Sequence, residues 1–343
     1  MFKAGYVEGL ATDPTRPAWR SSTARPLKWA AWYPAAHDAA AVDKVLGPPG
    51  AELFRMGWVA ENAALSSVQN QWPVVLLSHG TGGTAQGLCW LGTRLAAKGF
   101  VSIGVSHHGN TAVEPYLPEG FLCWWERARD LTVILNLLGA YGPFAGRLDR
   151  NVIFAAGFSL GGYTVLQLAG AVTSLKLFDE WLNTLGKHDG GPREFPDLAS
   201  HIPELRARSA QYRQSVERHS DSYFDPRIKA VVALAPAPTV RSFTPESVAK
   251  VIVPTTLVAG QDDMEAPHKL CALWLREHNP SFQVKLLGRQ VGHYVFLPEA
   301  TEAGKALEPD ICRDPDGVDR VAIHDSVATM VEATFRKAQG TNS

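Results

Sequence analysis

The chain has 343 residues, of which 45% are hydrophobic and 20% charged, and its formal net charge is −1. These values are ordinary for a folded globular protein, and without a long basic run they give no indication of a nucleic-acid partner. No segment approaches the about 18 apolar residues of a membrane span, and residues 1–6 lack the apolar core of a signal peptide. We expect no nucleic-acid partner, no integral membrane segment and a cytoplasmic location, or an exported one if Met1 replaces a removed signal peptide.

The cysteines are widely spaced and include no C-x-x-C pair, which argues against a structural zinc site. This spacing is typical of free, buried thiols in a reducing compartment, although a single disulfide between Cys89 and Cys123 is an open alternative. The four positions are Cys89, Cys123, Cys271 and Cys312.

Regular patterns are weak before residue 72. Residues 4–9 and 27–33 are predicted to form short strands interrupted by prolines, as at the antiparallel edge of a sheet. Residues 36–71 are rich in alanine, glycine and proline, and we predict an irregular surface excursion there.

From residue 73 onward, apolar runs of strand length alternate with helical patterns. Strands are predicted at 73–78, 100–105, 152–156, 228–235, 255–259 and 282–287, and helices at 84–98 and 123–138. This alternation predicts an α/β fold, with a mostly parallel twisted sheet covered by helices on both faces. Ligands of such sheets bind at the carboxyl ends of the strands.

Residues 171–225 interrupt the alternation with a polar, helix-prone stretch. Helices are predicted at 178–185 and 202–219, with a Gly190-Gly191-Pro192 loop between them. We interpret residues 171–225 as a helical cap or lid inserted into a single domain of residues 1–343. The alternative is an excursion that packs away from the functional site.

Gly157-Phe158-Ser159-Leu160-Gly161-Gly162 is the strongest motif in the chain. It follows the apolar run 151–156 and precedes a helical run at 163–169, so the chain must turn sharply between strand and helix. Such a turn needs small flanking residues and holds its serine strained and exposed, beside backbone N–H groups. We predict Ser159 to be a nucleophile; the alternative is an ordinary Gly/Ser turn.

A serine hydroxyl needs a base, and the base needs an orienting acid. The strand 255–259 ends in Gly260-Gln261-Asp262-Asp263, and the G-x-x-D spacing favours Asp263 as the acid, with Asp262 as the alternative. Either aspartate could instead cap the following helix. His293, on the loop after the strand 282–287, is the predicted base.

A glycine-rich turn, Ser78-His79-Gly80-Thr81-Gly82-Gly83, follows the first strand. We predict an oxyanion hole formed by the backbone N–H groups of Thr81 and Leu160. A phosphate-binding loop is the alternative, but the turn lacks the Lys-Ser/Thr of a P-loop. His79 is predicted to brace the turn, and His107-His108-Gly109-Asn110 to form pocket wall or loop scaffold. No metal site and no cofactor are expected.

These motifs, together with Asp225-Pro226-Arg227-Ile228 and Gly292-His293, resemble the α/β-hydrolase superfamily over roughly residues 73–300. Within it, the chain resembles the dienelactone-hydrolase-like and platelet-activating-factor-acetylhydrolase-like serine esterases of bacteria. Dienelactone hydrolases proper use a cysteine nucleophile, whereas this chain has Ser159. Plasma-type acetylhydrolases carry the acid one strand earlier, where this chain has no carboxylate.

The resemblance implies a serine hydrolase that cleaves a small-molecule carboxylic ester through an acyl-enzyme. An amidase or peptidase with the same triad, or an acyltransferase, remains open, and a non-catalytic binding module is the remaining alternative. The sequence gives no indication of the oligomeric state.

Overall fold

The computed structural model describes residues 1–185 and 191–340. Over these residues the strands form a single ten-stranded sheet in the order β10-β9-β8-β7-β5-β6-β2-β1-β4-β3. The strands are β1 Ala4–Pro17, β2 Ala24–Pro34, β3 Val42–Leu46, β4 Phe54–Glu61, β5 Trp72–Ser78, β6 Val101–Ser106, β7 Leu148–Phe158, β8 Ile228–Leu234, β9 Thr255–Gly260 and β10 Gln283–Leu287.

The strands β5 to β10 pair in parallel, and β6, β2 and β1 pair antiparallel. Twelve α-helices lie in the described residues. They are α1 Cys89–Ala97, α2 Pro118–Leu122, α3 Arg127–Ala140, α4 Leu160–Leu168, α5 Leu175–Leu185, α6 Ile202–Arg208, α7 Ala210–Glu217, α8 Pro245–Ala249, α9 Ala272–His278, α10 Glu302–Leu307, α11 Pro309–Cys312 and α12 Arg320–Gln339. The predicted α/β class and mostly parallel sheet are confirmed.

The sheet is covered on both faces because its central strands are apolar on both sides. In β7, Ile153 and Ala155 pack into the core that contains α3, α4 and α9, while Phe154 and Ala156 pack into the core that contains α1 and α12. Adjacent strand residues point to opposite faces, so a continuous apolar run fills both cores.

The register of the parallel strands brings their carboxyl ends to one edge. Ser78 pairs with Gly157, Phe158 with Leu234, and Leu287 with Gly260. The loops that leave β5, β7, β9 and β10 therefore start side by side. These are the four loops on which the sequence predicts functional residues.

The prediction of an irregular excursion at residues 36–71 is wrong. The segment contains β3 and β4, which pair antiparallel with a register irregularity at Lys44 and Val45. β4 also pairs in parallel with β1 through Gly5 and Ala60. Because β3 has no buried residue, its sequence shows no alternation of apolar and polar residues. The glycines and prolines of the segment, in turn, are typical of turns.

Two predicted helices begin later than expected. The helix predicted at 84–98 starts as a 3-10 turn, Ala85–Leu88, before α1, and the helix predicted at 123–138 starts as Trp124–Glu126 before α3. The helix predicted at 202–219 is divided into α6 and α7 at Ser209, whose side chain accepts a hydrogen bond from Tyr212 N–H. Part of the predicted 190–192 loop lies outside the described residues.

All four cysteines are free and buried. Cys89, the first residue of α1, packs in the core on one face of the sheet, and Cys123 packs in the core on the opposite face. The alternative of a Cys89–Cys123 disulfide is therefore wrong, because the sheet separates the two sulfur atoms.

Candidate active site

Ser159 stands between β7 and α4 in a strained conformation. Its φ of +54° and ψ of −117° place a non-glycine residue in a sparsely populated region. The surrounding backbone holds it there: Ser159 N–H donates to Leu234 O at 2.8 Å, and Ser159 O accepts from Gly162 N–H at 2.8 Å and Ala237 N–H at 3.0 Å. Ser159 is 8% exposed, so only a small part of the residue reaches solvent.

Two glycines make this turn possible. A Cβ on Gly157 would lie 2.1 Å from Gly161 O, and a Cβ on Gly161 would lie 1.9 Å from Ser78 O. Both distances are far below van der Waals contact with backbone atoms that cannot move aside. The glycines of the motif are thus required by the close approach of α4 to β7 and β5.

The structure brings Ser159, His293 and Asp263 together. His293 Nε2 lies 3.0 Å from Ser159 Oγ, and His293 Nδ1 lies 2.8 Å from Asp263 Oδ2. An ionised Asp263 accepts a hydrogen bond from Nδ1–H, which leaves Nε2 free to accept from the serine hydroxyl. The His293 ring also packs against Phe158, with ring centroids 4.7 Å apart. The three side chains therefore form one hydrogen-bonded chain.

The two neighbouring aspartates have different partners. Asp263 is buried, and its second oxygen, Oδ1, accepts from Ala266 N–H at 2.7 Å. Asp262 is exposed, and its Oδ2 accepts from Gln290 N–H at 2.9 Å. Asp263 thus both contacts His293 and holds the following turn, while Asp262 fixes the loop that leads to His293.

The 79–83 turn lies directly against Ser159. A Cβ on Gly80 would be 3.3 Å from Ser159 Cβ. Neither Thr81 N–H nor Leu160 N–H donates a hydrogen bond to any described residue. Two unpaired backbone donors next to a serine hydroxyl form a site that can receive a developing negative charge on oxygen.

His79 is locked inside this turn. Its Nδ1 donates to Gly80 O at 2.6 Å, and its Nε2 accepts from His107 N–H at 3.2 Å. Burial and the charge of Arg127 hold the pKa of His79 well below its usual range. His79 is therefore a neutral brace of the turn, with both ring nitrogens hydrogen-bonded to backbone groups.

A buried polar network lies behind the turn. Arg127 donates to His79 O, to Ser78 Oγ at 3.4 Å and to Asn110 Oδ1 at 3.3 Å. Burial lowers the pKa of Arg127 to about 9, and the charge of Asp130 opposes that shift. The two Nη atoms of the guanidinium thus donate to the backbone and side chains that shape the turn, while the buried Nε has no partner in the described residues.

Within this network, Ser78, His107 and Asp130 form a second hydrogen-bonded chain. His107 Nε2 lies 3.0 Å from Ser78 Oγ, and His107 Nδ1 lies 2.8 Å from Asp130 Oδ2. Burial, followed by the charge of Arg127, lowers the pKa of His107 to about 4. Asp130 also pairs with buried Arg16. These groups are closed off from solvent and serve as scaffold.

Sequence reasoning did not single out Arg127 or Asp130 and did not assign Asn110 its contact. The available signal was two charged residues three positions apart on the buried face of α3. The adjacent His108 accepts from Trp19 N–H at 3.0 Å and contacts Glu114 at 2.7 Å, as loop scaffold. Among residues 1–185 and 191–340, no group of three or more His, Cys, Asp or Glu could hold a metal ion.

Residues 74–304, more than half of the chain, match the family model described as the alpha/beta hydrolase family. The chain belongs to the α/β-hydrolase family. The superfamily predicted from the motifs is thereby confirmed. The narrower likeness to dienelactone-hydrolase-like enzymes stays a prediction.

This α/β-hydrolase is similar to several cutinases. It is 32% identical over 109 residues to a cutinase of Thermobifida alba, which covers 31% of this chain and 33% of the relative. A cutinase of Thermobifida cellulosilytica has the same identity over 109 residues and is covered to 38%. The chain thus spans about a third of the length of these curated relatives.

A ferulic acid esterase from Streptomyces cinnamoneus has a similar structure. Its TM-score is 0.64 at 18% sequence identity, over 100% of this chain and 92% of that chain. At this identity the likeness supports the fold alone. None of the helices in the described part of this α/β-hydrolase has the length and apolar character required to cross a membrane.

Proposed function

We propose that this α/β-hydrolase is a serine hydrolase that cleaves a small-molecule carboxylic ester through an acyl-enzyme on Ser159. The observation that carries the proposal is the hydrogen-bonded chain Ser159–His293–Asp263, with distances of 3.0 and 2.8 Å. The names of the cutinase relatives favour an ester over an amide substrate.

In the first half-reaction, Ser159 Oγ attacks the ester carbonyl carbon while His293 Nε2 takes the hydroxyl proton. Asp263 holds Nδ1–H and stabilises the imidazolium that forms. The C–O bond to the alcohol then breaks, and His293 returns the proton to the departing alcohol oxygen. In the second half-reaction a water molecule attacks the acyl carbon, His293 takes its proton, and Ser159 Oγ leaves and recovers that proton.

The negative oxygen of each tetrahedral intermediate would accept hydrogen bonds from the N–H groups of Thr81 and Leu160. Both donors are held by rigid elements, since Leu160 begins α4 and Thr81 lies in a turn braced from behind. Preorganised donors of this kind contribute about 3–4 kcal/mol each to transition-state stabilisation.

We also propose that part of the 171–225 segment caps this site within a single domain. Glu194 lies beside Gly82 of the 79–83 turn, and the Phe195 ring packs on Phe121 with centroids 5.3 Å apart. In contrast, Leu205 and Tyr212 are buried in the core, which indicates a structural role for α6 and α7. Residues 186–190 of this segment lie outside the described residues.

We also propose a cytoplasmic location for this protein. The four buried, free thiols support it, because a reducing compartment maintains them without oxidation. Fractionation of the source cell, with antibody detection in cytoplasmic and exported fractions, tests it directly.

The mechanism is tested with a fluorophosphonate probe and a panel of p-nitrophenyl esters and matched anilides. We expect the probe to add one label at Ser159, and Ser159→Ala and His293→Ala to lower ester kcat about 10⁴-fold or more while remaining folded. His278→Ala, on α9, is the matched control and should retain activity. Absence of labelling in the folded wild type would show a non-catalytic module; faster anilide than ester turnover would show an amidase. Product analysis with added alcohols distinguishes an acyltransferase.

A further inference from the structure

Glu194 brings a carboxyl group from the 171–225 segment to the 79–83 turn. A Cβ added to Gly82 would lie 2.7 Å from Glu194 Cγ and 2.8 Å from Tyr116 Oη. The Tyr116 hydroxyl donates to Gly82 O at 3.0 Å, which fixes its position on the turn. Because Gly82 follows Thr81 directly, Glu194 stands next to one of the two free N–H donors.

The Glu194 carboxylate has no ion pair and no hydrogen bond to another residue in the described parts of the chain. The adjacent Arg193 is directed elsewhere, since its Nη2 contacts Glu308 Oε2 at 2.8 Å. Burial raises the pKa of Glu194, and the charge of Glu265 raises it further, while Arg193 and His293 act in the opposite direction. Burial is the largest cause of this shift, and no cation of the described residues lies within ion-pair distance of the Glu194 carboxylate.

Two half-buried tyrosines lie around this part of the site, and one of them, Tyr116, meets Glu194 at the Gly82 Cβ position. The Tyr294 ring centroid is 5.4 Å from that of His293, which places Tyr294 beside the serine–histidine pair. Burial raises the pKa of Tyr294 to about 12, with the charges of Glu265 and Glu194 adding to the shift. Burial and the charge of Glu194 also raise the pKa of Tyr116. A carboxylate with aromatic rings nearby is the arrangement that binds ammonium groups in proteins.

We propose that Glu194, with Tyr116 and Tyr294, binds a cationic group of the substrate, so that the preferred substrates are esters whose alcohol or acyl part carries an ammonium group. This inference rests on the ester hydrolysis proposed above. An uncompensated carboxylate beside Thr81 opposes the negative oxygen of the tetrahedral intermediate, since like charges repel across a site of low polarity. A substrate cation removes that repulsion by pairing with Glu194.

The test compares kcat/KM for esters that differ only in charge. Butyrylcholine is paired with 3,3-dimethylbutyl butyrate for the alcohol side, and p-nitrophenyl 4-(trimethylammonio)butanoate with p-nitrophenyl 5,5-dimethylhexanoate for the acyl side. We expect the wild type to prefer the cationic ester by about tenfold or more in one of the two pairs. Glu194→Gln should lower that preference by about tenfold, because it removes the charge and keeps the shape.

Glu204→Gln is the matched control, because Glu204 is an exposed residue of the same segment and the charge change is identical. It should leave the cationic preference as in the wild type. A wild-type ratio near one in both pairs, or an unchanged ratio in Glu194→Gln, would overturn the inference. If the cation inference is overturned but Ser159 is labelled by the fluorophosphonate and neutral esters are cleaved, the proposed ester hydrolysis still holds. If Ser159 is not labelled and neutral esters are not cleaved, the proposed ester hydrolysis itself is wrong.

A second test uses inhibition of the wild type and therefore does not depend on the folding of a variant. Tetramethylammonium should inhibit hydrolysis of the neutral esters competitively, and tert-butanol at the same concentration should inhibit it about tenfold less. Added salt should weaken the tetramethylammonium effect, since dissolved ions screen the attraction of a half-buried carboxylate for a cation in solution. Equal inhibition by the two compounds would contradict a cation site.

Discussion

Asn110 and Gly82 are joined by a 2.8 Å hydrogen bond, in which Gly82 N–H donates to the side-chain oxygen of Asn110. The same oxygen accepts from Arg127 Nη1 at 3.3 Å. One amide oxygen thus pairs with the Gly82 N–H, while the neighbouring Thr81 N–H donates to no described residue.

Asn110→Ala should therefore lower kcat about tenfold to a hundredfold with a smaller effect on KM, because the Gly82 N–H loses its acceptor and the turn loses its shape. Stability should fall by about 1–3 kcal/mol, since two buried donors lose their partner. The measurements are steady-state ester kinetics and urea unfolding. Asn136→Ala, at an exposed site on α3 that contacts Arg227, should change neither. A rise in KM at constant kcat would argue against a role for Asn110 in shaping the turn.

Asp263→Asn should lower ester kcat about a thousandfold or more, because an amide cannot stabilise the imidazolium and can favour the wrong tautomer of His293. Asp262→Asn should lower kcat less than about threefold, since the Asp262 side chain accepts from Gln290 N–H and an asparagine oxygen can accept in the same way. Kinetics at saturating ester decide between them. A larger loss in Asp262→Asn would reverse the assignment of the acid.

Gly161→Ala should destabilise the fold by about 2–4 kcal/mol or prevent accumulation of folded protein, because the new Cβ would lie 1.9 Å from Ser78 O. Gly288→Ala has open space around its Cβ and serves as the matched control. Thermal unfolding of the two variants tests this. Equal melting temperatures would mean that α4 can shift away from β5.

The buried position of His324 leads us to expect that the protein loses stability in acid. The ring is buried, stacks on Trp90 at 4.0 Å and bonds Val295 O at 2.8 Å. Burial lowers its pKa from 6.5 to about 3. Below pH 6.5 the unfolded state binds the proton more readily than the folded state, so this contribution to stability is lost as the pH falls from about 6.5 to about 3.

His324→Gln keeps a donor near Val295 and removes the titrating group. Between pH 6 and pH 4, its free energy of unfolding should fall less steeply than that of the wild type, by up to about 1.4 kcal/mol per pH unit. Urea unfolding at a series of pH values measures both slopes. Parallel curves would show that His324 does not carry the acid sensitivity.

The positions of the residues that belong to sequence motifs could be predicted, because they lie in one turn or follow from the order of the strands. Ser159 and Leu160 lie in one turn, and the glycines that permit the turn are visible as letters. Asp263 and His293 follow the ends of apolar strands, and parallel strands bring such ends to one edge. Choosing Asp263 over Asp262 required only the spacing.

The supporting residues could not be predicted because their contacts join distant segments. Arg127 reaches the 79–83 turn from α3, and the charged pair that it forms with Asp130 on this helix does not indicate which turn it contacts. Glu194 meets Gly82 across more than a hundred residues of chain. The strand β3 was missed because it is an edge strand with no buried residue, so it leaves little hydrophobic periodicity. The strand β4 was missed because its buried residues, Met56, Val59 and Ala60, do not alternate regularly.

The two hydrogen-bonded serine chains differ chiefly in access to water. Ser78 is 0% exposed and Ser159 is 8% exposed, although each serine lies 3.0 Å from a histidine nitrogen. The two serines therefore make similar contacts to histidine, but only Ser159 has any surface that reaches solvent. A serine-directed reagent that modified Ser159 and spared Ser78 would show that reactivity here depends on entry of the reactant and on neighbouring donors, with the Ser–His–Asp contact alone being insufficient.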